Sequence, residues 1–348
     1  MPTSDAYNKT DRLQQIQLLF WKNPGKQFRT SDLANILNVS QDTVTRDLEG
    51  LSSDGRLPLI KEGWYWQLPK DAKFDLLPVK LNLPEGTALY LAARLLTQIH
   101  DEQNTFVLSA LIKLIAAMPN TIAPHQHAIV DMARERQKGQ HDTSSIFEAL
   151  ALGWATHRVV RLIYSPPRKK TFECLFSPYL LEPSGIGRTI YAIGQSQPPG
   201  ALRTYKLERI EHVALTDDTF EVPADFDGPA LLANAWGVMY GDEAPIEVRL
   251  RFSHWVTKRV HETLWHPSQK IVDTPQGCVW TAQIGDTLEI ENWIRGWGSD
   301  CEVLEPMELR DKMIKDARRL THLYKIESVK LTPPDEPDND LLSGIFGG

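Results

Sequence analysis

Two short amphipathic segments follow each other between residues 30 and 51. Their apolar side chains recur at helical spacing and are Leu33, Ile36 and Leu37, then Val44, Leu48 and Leu51. Between the segments, Asn38 suits a helix end and Ser40 suits an N-cap. Two helices this short, joined by so tight a turn, must cross steeply, which predicts a helix-turn-helix.

Apolar residues on both sides of this pair extend the prediction. A preceding helix places four apolar side chains inward, namely Leu13, Ile16, Leu19 and Phe20. After the pair, the runs 57–60 and 64–68 flank the turn 61–63, which predicts two strands joined as a wing. Residues 9–68 are therefore predicted to form a winged helix-turn-helix.

The second helix of the pair presents polar side chains outward, as a helix does when it enters a DNA major groove. The predicted DNA-binding residues are Gln41, Asp42, Thr43, Thr45, Arg46 and the wing residue Lys61. The alternative is a structural or protein-docking hairpin with a solvated face, in which Asp42 and Arg46 pair at i, i+4. The neighbouring helix and wing favour DNA binding.

Residues 33–48 match, almost position for position, the pattern Leu-Ala-x-x-Leu-x-Val-Ser-x-x-Thr-Val-x-Arg-Asp-Leu. With this pattern, residues 9–68 resemble the helix-turn-helix of DeoR-like and related bacterial repressors. The resemblance implies a protein that binds promoter DNA.

A Pro-containing linker and a set of helices are predicted next. The linker covers 69–84, and helices are predicted over 87–100, 105–118 and 128–139. The inward face predicted for the first helix consists of Leu89, Ala92, Ala93 and Leu96. These helices have more apolar surface than a linker needs. They are expected either to form a dimerisation element or to pack on the next domain.

The periodicity then changes from helical to alternating. A helix over 145–155 precedes strands at 159–164, 172–176 and 189–194, with one or two more between 203 and 214. Short turns rich in Pro, Gly and Ser separate the strands. Five or so short strands with such turns predict a small, strongly bent β-barrel.

The formal net charge is -7, and the charged residues are distributed unevenly along the chain. Residues 158–212 carry nine Lys/Arg against four Asp/Glu, a balance of +5. Residues 213–348 carry 13 against 24, a balance of -11. The basic segment is either a second polyanion site or a charge-mixed surface that offsets the acidic domain.

Several distinct motifs lie along the predicted barrel. They are Tyr164, Pro178-Tyr179, Gly187-Arg188, the segments 190–194 and 203–210, and the exit Phe220-x-x-Pro223-x-x-Phe226-Asp227. With them, residues 145–226 resemble a WYL domain, an Sm-like barrel of bacterial transcriptional regulators. The Trp-Tyr-Leu that names the family is here Ile190-Tyr191-Ala192, which keeps only the tyrosine. The resemblance implies a sensor site for single-stranded DNA or a nucleotide messenger.

Tyrosines and arginines of the barrel are the predicted ligand-binding residues: Tyr164, Arg168, Tyr191, Arg203, Tyr205 and Arg209. Guanidinium groups bind phosphates bidentately, and tyrosine rings stack on bases. The alternative for Arg203 and Arg209 is a salt bridge, for which the candidate carboxylates are Glu182, Glu208 and Glu211. The alternative for the tyrosines is a place in the core.

Strands and helices alternate again from residue 246 onwards. Strands at 246–252, 270–273, 278–284 and 301–304 and helices at 254–265 and 287–295 give a βαββαβ order, predicted to be ferredoxin-like, before a helix over 307–324. The motifs 293–298 and 303–306 resemble the C-terminal extension that accompanies WYL domains. The polar tail 331–348 is predicted to be disordered.

Composition argues against several other classes of protein. No apolar run approaches the ~20 residues of a membrane span, and no signal-peptide core is present. Cys174, Cys278 and Cys301 form no CxxC, so we expect reduced thiols in a cytoplasm and no metal role. Because P-loop, GxGxxG, GxSxG and HExxH motifs are missing, neither catalysis nor a cofactor is expected.

Together these patterns predict an α+β multidomain protein. Its predicted parts are a winged helix-turn-helix (9–68), a helical linker (69–144), a small Sm-like β-barrel (145–227), a ferredoxin-like WYL-associated domain (245–325) and a tail (331–348). The expected function is a homodimeric transcription regulator that binds a duplex DNA operator and responds to a nucleic-acid or nucleotide-like ligand. The alternative is an accessory subunit of an RNA-processing or phage-defence complex, with RNA or single-stranded DNA on the barrel.

Overall fold

The computed structural model describes residues 8–69, 79–99, 104–119, 142–198, 200–241 and 244–326, with isolated positions between 128 and 135. The chain packs into two compact units, residues 1–228 and 229–348. Most of the helix predicted over 128–139, part of the linker predicted over 69–84 and the whole predicted tail lie outside the described residues. Within the described part, no helix has both the length and the apolar character needed to cross a membrane.

Residues 8–69 fold into three helices and a small sheet. The elements are α1 (Lys9–Lys22), β1 (Gln27–Arg29), α2 (Thr30–Leu37), α3 (Gln41–Ser53), β2 (Ile60–Glu62) and β3 (Tyr65–Gln67). The two helices predicted between residues 30 and 51 are therefore present, as are the two strands of the predicted hairpin. Strand β1 was not predicted, and it joins β3 at the edge opposite β2 in an antiparallel sheet.

The turn between α2 and α3 is built as the sequence predicts. Asn38 ends α2 in the left-handed conformation, with φ of 53°, which asparagine tolerates better than most residues. Ser40 precedes α3 in an extended conformation, and its Oγ accepts a hydrogen bond from the Thr43 backbone N–H at 3.2 Å. These two residues fix where one helix stops and the next begins.

The inward face of α2 differs from the prediction at one position. Leu33 and Leu37 are buried as expected, but the Ile36 side chain is 56% exposed, so its predicted core position is wrong. Ala34 takes the buried place instead. A helix with Leu33 and Leu37 inward can rotate toward either side of this pair, and packing against α1 and α3 selects the alanine side.

The predicted linker region contains two helices that contact each other, α4 (Leu83–Ile99) and α5 (Thr105–Ala116). The face predicted to be buried in α4 is only half right: Leu89 and Ala92 are exposed, whereas Ala93 packs against the core and Leu96 is half-buried. Tyr90 and Thr97 are buried in their place. Because α4 carries apolar residues around most of its circumference, periodicity alone could not identify its inward face.

Two helices, a 3₁₀ turn and a five-stranded sheet follow, and the first unit ends at Gly228, the first residue of the second of these helices. The elements are α6 (Ser144–Thr156), β4 (Arg158–Tyr164), β5 (Phe172–Ser184), β6 (Thr189–Gln197), β7 (Ala201–Lys206), a 3₁₀ turn (Leu207–Arg209), β8 (Ile210–Thr219) and α7 (Gly228–Leu232). All neighbouring strands are antiparallel, in the order β7-β6-β5-β4-β8. The strand predicted at 172–176 is longer than expected, and its pairing with β6 shifts register between Pro178 and Leu180.

The second unit contains a four-stranded sheet with helices. The elements are β9 (Ile246–Ser253), α8 (His254–His261), β10 (Lys270–Thr274), β11 (Gly277–Ile284), α9 (Ile290–Gly296), β12 (Cys301–Glu305) and α10 (Met307–Leu323). They follow the predicted βαββαβ order, and the strands lie in the order β10-β11-β9-β12. Helix α8 is shorter than the predicted 254–265 and α9 begins later than 287. Trp280 and Phe252 are fully buried in the core of this unit.

Close backbone contact between β5 and β6 yields a stability prediction. A Cβ atom added to Gly194 would lie 2.0 Å from the Ser177 carbonyl oxygen, and a backbone atom of a central strand cannot move away cheaply. We expect Gly194→Ala to lower the local free energy of unfolding by about 1–3 kcal/mol, the usual cost of overpacking. Hydrogen exchange of the β5 and β6 amides would measure it. The control is Gly185→Ala, where an added Cβ meets nothing within 4 Å, and an equal loss in both variants would contradict the prediction.

Candidate nucleic-acid interface

The exposed face of α3 contains most of the residues predicted to bind DNA. Gln41, Asp42 and Arg46 are exposed, whereas Thr43 and Thr45 are half-buried. The Thr45 hydroxyl donates to the Gln41 carbonyl oxygen at 2.9 Å, so it already has a local partner. Among the described residues, Arg46 has no ion pair with Asp42 or any other carboxylate, so its guanidinium group faces outward without a local partner.

A buried ion pair joins α3 to α1. Arg12 Nε lies 2.6 Å from Asp47 Oδ2, and Arg12 Nη2 lies 3.4 Å from Asp47 Oδ1. Only 6% of the Asp47 side chain and 12% of the Arg12 side chain are exposed. Two hydrogen bonds in this fork geometry fix the rotation of α3 as well as its distance from α1. Sequence analysis missed this pair, since its members are 35 positions apart.

The wing has an exposed tip that sequence analysis also missed. Gly63, with φ of +60°, turns the chain between β2 and β3, and the next residue, Trp64, is 84% exposed. The Glu-Gly-Trp sequence between the two strands is the signal that could have placed an indole at the tip. The predicted contact residue Lys61 lies 3.5 Å from Glu49 of α3, and its ammonium lies 4.9 Å from the Trp66 ring centre. The wing is thus linked directly to α3.

Cationic side chains surround a cavity of about 300 Å³ between α1 and α3. The charged and polar residues that line it are Lys9, Arg12, Thr43, Arg46, Asp47, Asp54 and Arg56. Asp47 is paired with Arg12, and Asp54 lies 3.5 Å from Arg56. Among the described residues, Lys9 and Arg46 have no salt bridge. This surface therefore suits an anion such as a backbone phosphate.

The three tyrosines predicted to bind ligand are buried rather than exposed. Tyr164, Tyr191 and Tyr205 are each less than a tenth exposed. The rings of Tyr164 and Tyr205 are 4.7 Å apart, and the Tyr205 hydroxyl lies 2.8 Å from Ser196 Oγ. Burial raises the pKa of Tyr205. These rings offer no free face on which a base could stack, so the predicted stacking role needs correction: Tyr164 and Tyr205 pack in the core of this domain, and Tyr191 is buried beside the turn at residues 185–188.

Tyr191 supports a turn instead. It pairs across the sheet with Glu182 on one side and Lys206 on the other. A Cβ atom on Gly187 would come within 2.7 Å of the Tyr191 hydroxyl, so the ring fills the space under the turn at residues 185–188. Burial raises the pKa of Glu182 in this row. The tyrosine that this chain keeps from the family motif therefore has a packing role here.

The predicted arginines, in contrast, are accessible. Arg168 and Arg203 are exposed and Arg209 is half-buried. None of the three has a salt bridge within the part of the chain that the structure describes. Glu208, a candidate partner, lies 3.6 Å from Lys206. Arg203 alternates onto the same strand face as Tyr205, and its Nη1 donates to the Leu202 carbonyl oxygen at 3.0 Å. The guanidinium groups are thus free to meet an anionic ligand.

Family comparison agrees with this architecture. Residues 145–215 match the WYL domain, and residues 244–321 match the WCX domain. The chain contains a WYL domain and a WCX domain. The predicted resemblance to a WYL domain is thereby confirmed over residues 145–215, as is the presence of a C-terminal domain that follows it.

Two solved structures are similar to this chain at low identity. Proteasome accessory factor B/C (PafBC) of Arthrobacter aurescens is 18% identical, with a TM-score of 0.31, and the match covers 94% of this chain. This chain spans only 50% of the length of that protein. A CRISPR Cas-related protein is 10% identical, with a TM-score of 0.38, and the match covers 73% of this chain and 89% of that one.

The Arg12–Asp47 pair yields the prediction for this surface. Asp47→Ala leaves the Arg12 guanidinium buried without its carboxylate, which typically costs about 3–5 kcal/mol. We expect a loss of this size in the opening free energy of α1 and α3, measured by hydrogen exchange. Asp42→Ala, which removes an exposed acid from the same helix, is the control and should change little. Similar exchange in both variants would show that the pair does not hold α3 in place.

Proposed function

We propose that this chain is a transcription regulator whose residues 9–68 bind duplex DNA as a winged helix-turn-helix. The observation that carries the proposal is the arrangement of α3. Its apolar face and Asp47 are buried against α1, and its opposite face presents Gln41, Asp42 and Arg46 to solvent. Arg and Gln side chains on a helix anchored this way can read base edges in the major groove. We also propose that the protein acts in the cytoplasm.

The wing supports the same proposal. Lys61 and the exposed Trp64 lie on a hairpin next to α3, where a second contact to the DNA backbone or the adjacent groove would form. The cationic cavity between α1 and α3 supplies Lys9 and Arg46 for phosphate contacts. Binding of one such module to DNA is weak, so we propose a homodimer that reads two half-sites.

Helix α4 supports the dimer. Leu91 and Leu95 lie one helical turn apart, and both are more than half exposed. An apolar stripe of this kind on a surface helix is typical of an interface. We therefore propose that α4 and α5 form the dimerisation element, the first of the two roles that their sequence allows.

The WYL domain is the proposed sensor. Arg168, Arg203 and Arg209 would bind the phosphates of a single-stranded nucleic acid or nucleotide, whereas the buried tyrosines would keep the barrel rigid. Ligand binding would alter DNA affinity through a coupling free energy of about 1–3 kcal/mol. The proposal assigns the chain no catalytic residue, cofactor or metal.

Duplex binding is tested with Arg46→Ala. Loss of one base or phosphate contact of about 1–3 kcal/mol should weaken binding to an operator, selected from genomic fragments by the full chain, by about tenfold. Fluorescence anisotropy at fixed salt would measure the change. Arg161→Ala, which removes an exposed barrel arginine that pairs with Glu173 at 3.2 Å, is the control and should bind normally. Failure of the wild-type chain to enrich any duplex would contradict the proposal and favour the accessory-subunit alternative.

The sensor site is tested with Arg203→Ala. Removing one phosphate contact should lower affinity for a single-stranded oligonucleotide about tenfold and flatten the salt dependence by about 0.7 in log–log slope. Duplex binding should stay at the wild-type level, which makes Arg46→Ala and Arg203→Ala reciprocal controls. If Arg203→Ala leaves oligonucleotide affinity unchanged, Arg203 is not part of a ligand site.

A further inference from the structure

A small open cavity lies between the five-stranded sheet and the segment that follows β8. Its volume is about 290 Å³, which is near the lower end for small-molecule pockets and suits a ligand the size of one nucleobase. The residues that line it are Tyr179 of β5, Gln195 of β6, Leu202 of β7, and Pro223, Asp225 and Phe226 of the segment after β8. None of the six residues predicted to bind ligand is among them.

Aromatic and aliphatic side chains supply the apolar part of the lining. The Tyr179 ring packs edge-to-face against Phe226, with 5.1 Å between ring centroids, and it lies 5.6 Å from the Phe220 ring. Trp154 of α6 donates from its Nε1 to the Tyr179 carbonyl oxygen at 3.1 Å and so ties this part of β5 to the helix. Tyr179 is buried, whereas Phe226 and Leu202 are half-buried. The accessible surfaces of Phe226 and Leu202 therefore suit the face of a planar ring.

Two polar side chains of the cavity have unused hydrogen-bonding capacity. The Tyr179 hydroxyl donates to Gln195 Oε1 at 3.0 Å, and the amide nitrogen of Gln195 has no hydrogen bond to any described residue. Asp225 is exposed, and its carboxylate makes no hydrogen bond or ion pair within the described part of the chain. Gln195 can therefore donate a hydrogen bond to a ligand, and Asp225 can accept hydrogen bonds from the same ligand.

A cationic side chain lies next to the cavity. Arg203 follows the lining residue Leu202, and its Nη1 donates to the Leu202 carbonyl oxygen at 3.0 Å. Arg203 also pairs across the sheet with Gly194, the residue before Gln195. Because the carboxylate of Asp225 would repel a phosphate inside the cavity, we expect the base of a nucleotide in the cavity and its phosphate at Arg203.

The two unused polar groups distinguish among the bases. The Watson–Crick edge of guanine presents the O6 carbonyl oxygen beside two adjacent donors, the N1–H and the N2 amino group. A carboxylate can accept from both donors at once, and an amide nitrogen can donate to O6. Adenine and cytosine each present one amino group beside a ring acceptor, and thymine and uracil present a single N–H. Guanine is therefore the base that uses both side chains most fully.

We propose that this cavity is a guanine-binding site. The base packs on Phe226 and Leu202, and its attached phosphate lies at Arg203. Asp225 accepts hydrogen bonds from guanine N1 and N2, and Gln195 Nε2 donates to O6. The inference rests on the proposed sensor function and adds base selectivity to it.

Replacement of guanine by hypoxanthine tests the site in the full chain. Hypoxanthine, the base of inosine, lacks only the N2 amino group of guanine. The two probes are a short single-stranded oligothymidine with one central deoxyguanosine and the same oligonucleotide with deoxyinosine at that position. We expect the wild type to bind the guanosine probe about tenfold more tightly in fluorescence anisotropy, because the inosine probe loses a charge-assisted hydrogen bond to Asp225.

Two variants assign this preference to the cavity. Asp225→Asn keeps the size of an exposed side chain but cannot accept from both donors, so the ratio of the two affinities should fall to about one. Asp218→Asn, which changes an exposed acid of β8 outside the cavity, is the matched control and should keep the wild-type ratio.

The outcomes separate this inference from the proposed function. Equal affinity of the wild type for the two probes, or an unchanged ratio in Asp225→Asn, would overturn the guanine site and leave the sensor function in place. Equal loss of the ratio in Asp225→Asn and Asp218→Asn would also overturn it. Failure of the wild type to bind either probe would contradict both the sensor function and the guanine site.

Discussion

A helix that presents polar side chains to a partner must bury its other face, and in α3 that face contains a carboxylate. Asp47 is nearly inaccessible and would be costly to bury alone, so its ion pair with Arg12 is the contact on which the arrangement of α1 and α3 depends. The two hydrogen bonds determine which way α3 is rotated. Gln41, Asp42 and Arg46 therefore face solvent because Val44, Asp47 and Leu48 face inward, and the wing follows α3 through the contact between Lys61 and Glu49.

In the domain that contains the five-stranded sheet, the tyrosines and the arginines predicted to bind ligand occupy different environments. Tyr164 and Tyr205 pack in the core, where hydrogen bonds satisfy their hydroxyls, and Tyr191 is buried beside the turn at residues 185–188. Arg168, Arg203 and Arg209 remain accessible. Buried tyrosine rings with accessible guanidinium groups suit recognition of phosphates better than recognition of base planes. Of the six residues predicted to bind the ligand, only the three arginines are therefore accessible to it.

The second unit combines a tightly packed aromatic core with a helix that is only partly covered. Trp236, Trp265, Trp280, Trp293 and Trp297 contact one another or Phe252 at ring distances of 4.7 to 5.9 Å. Of helix α10, by contrast, only Leu309 is buried. The Glu289 carboxylate accepts hydrogen bonds from three successive backbone N–H groups, at residues 237–239, and so ties the segment before β9 to this core. Stability and an open surface therefore come from different parts of the same unit.

The sequence alone determined the features that depend on neighbouring residues. Asn38 and Ser40 specified the turn between α2 and α3, alternation specified the strands of the five-stranded sheet, and motifs that resemble those of a known family pointed to the WYL domain. Tertiary structure decided which face of α2 and α4 is buried, because an apolar residue at the edge of a helical stripe can point either way. It also decided the partner of Asp47 and the burial of the tyrosines. These features depend on contacts between residues far apart in the chain. The packing of whole helices and strands brings such residues together, so no local sequence pattern predicts the contacts.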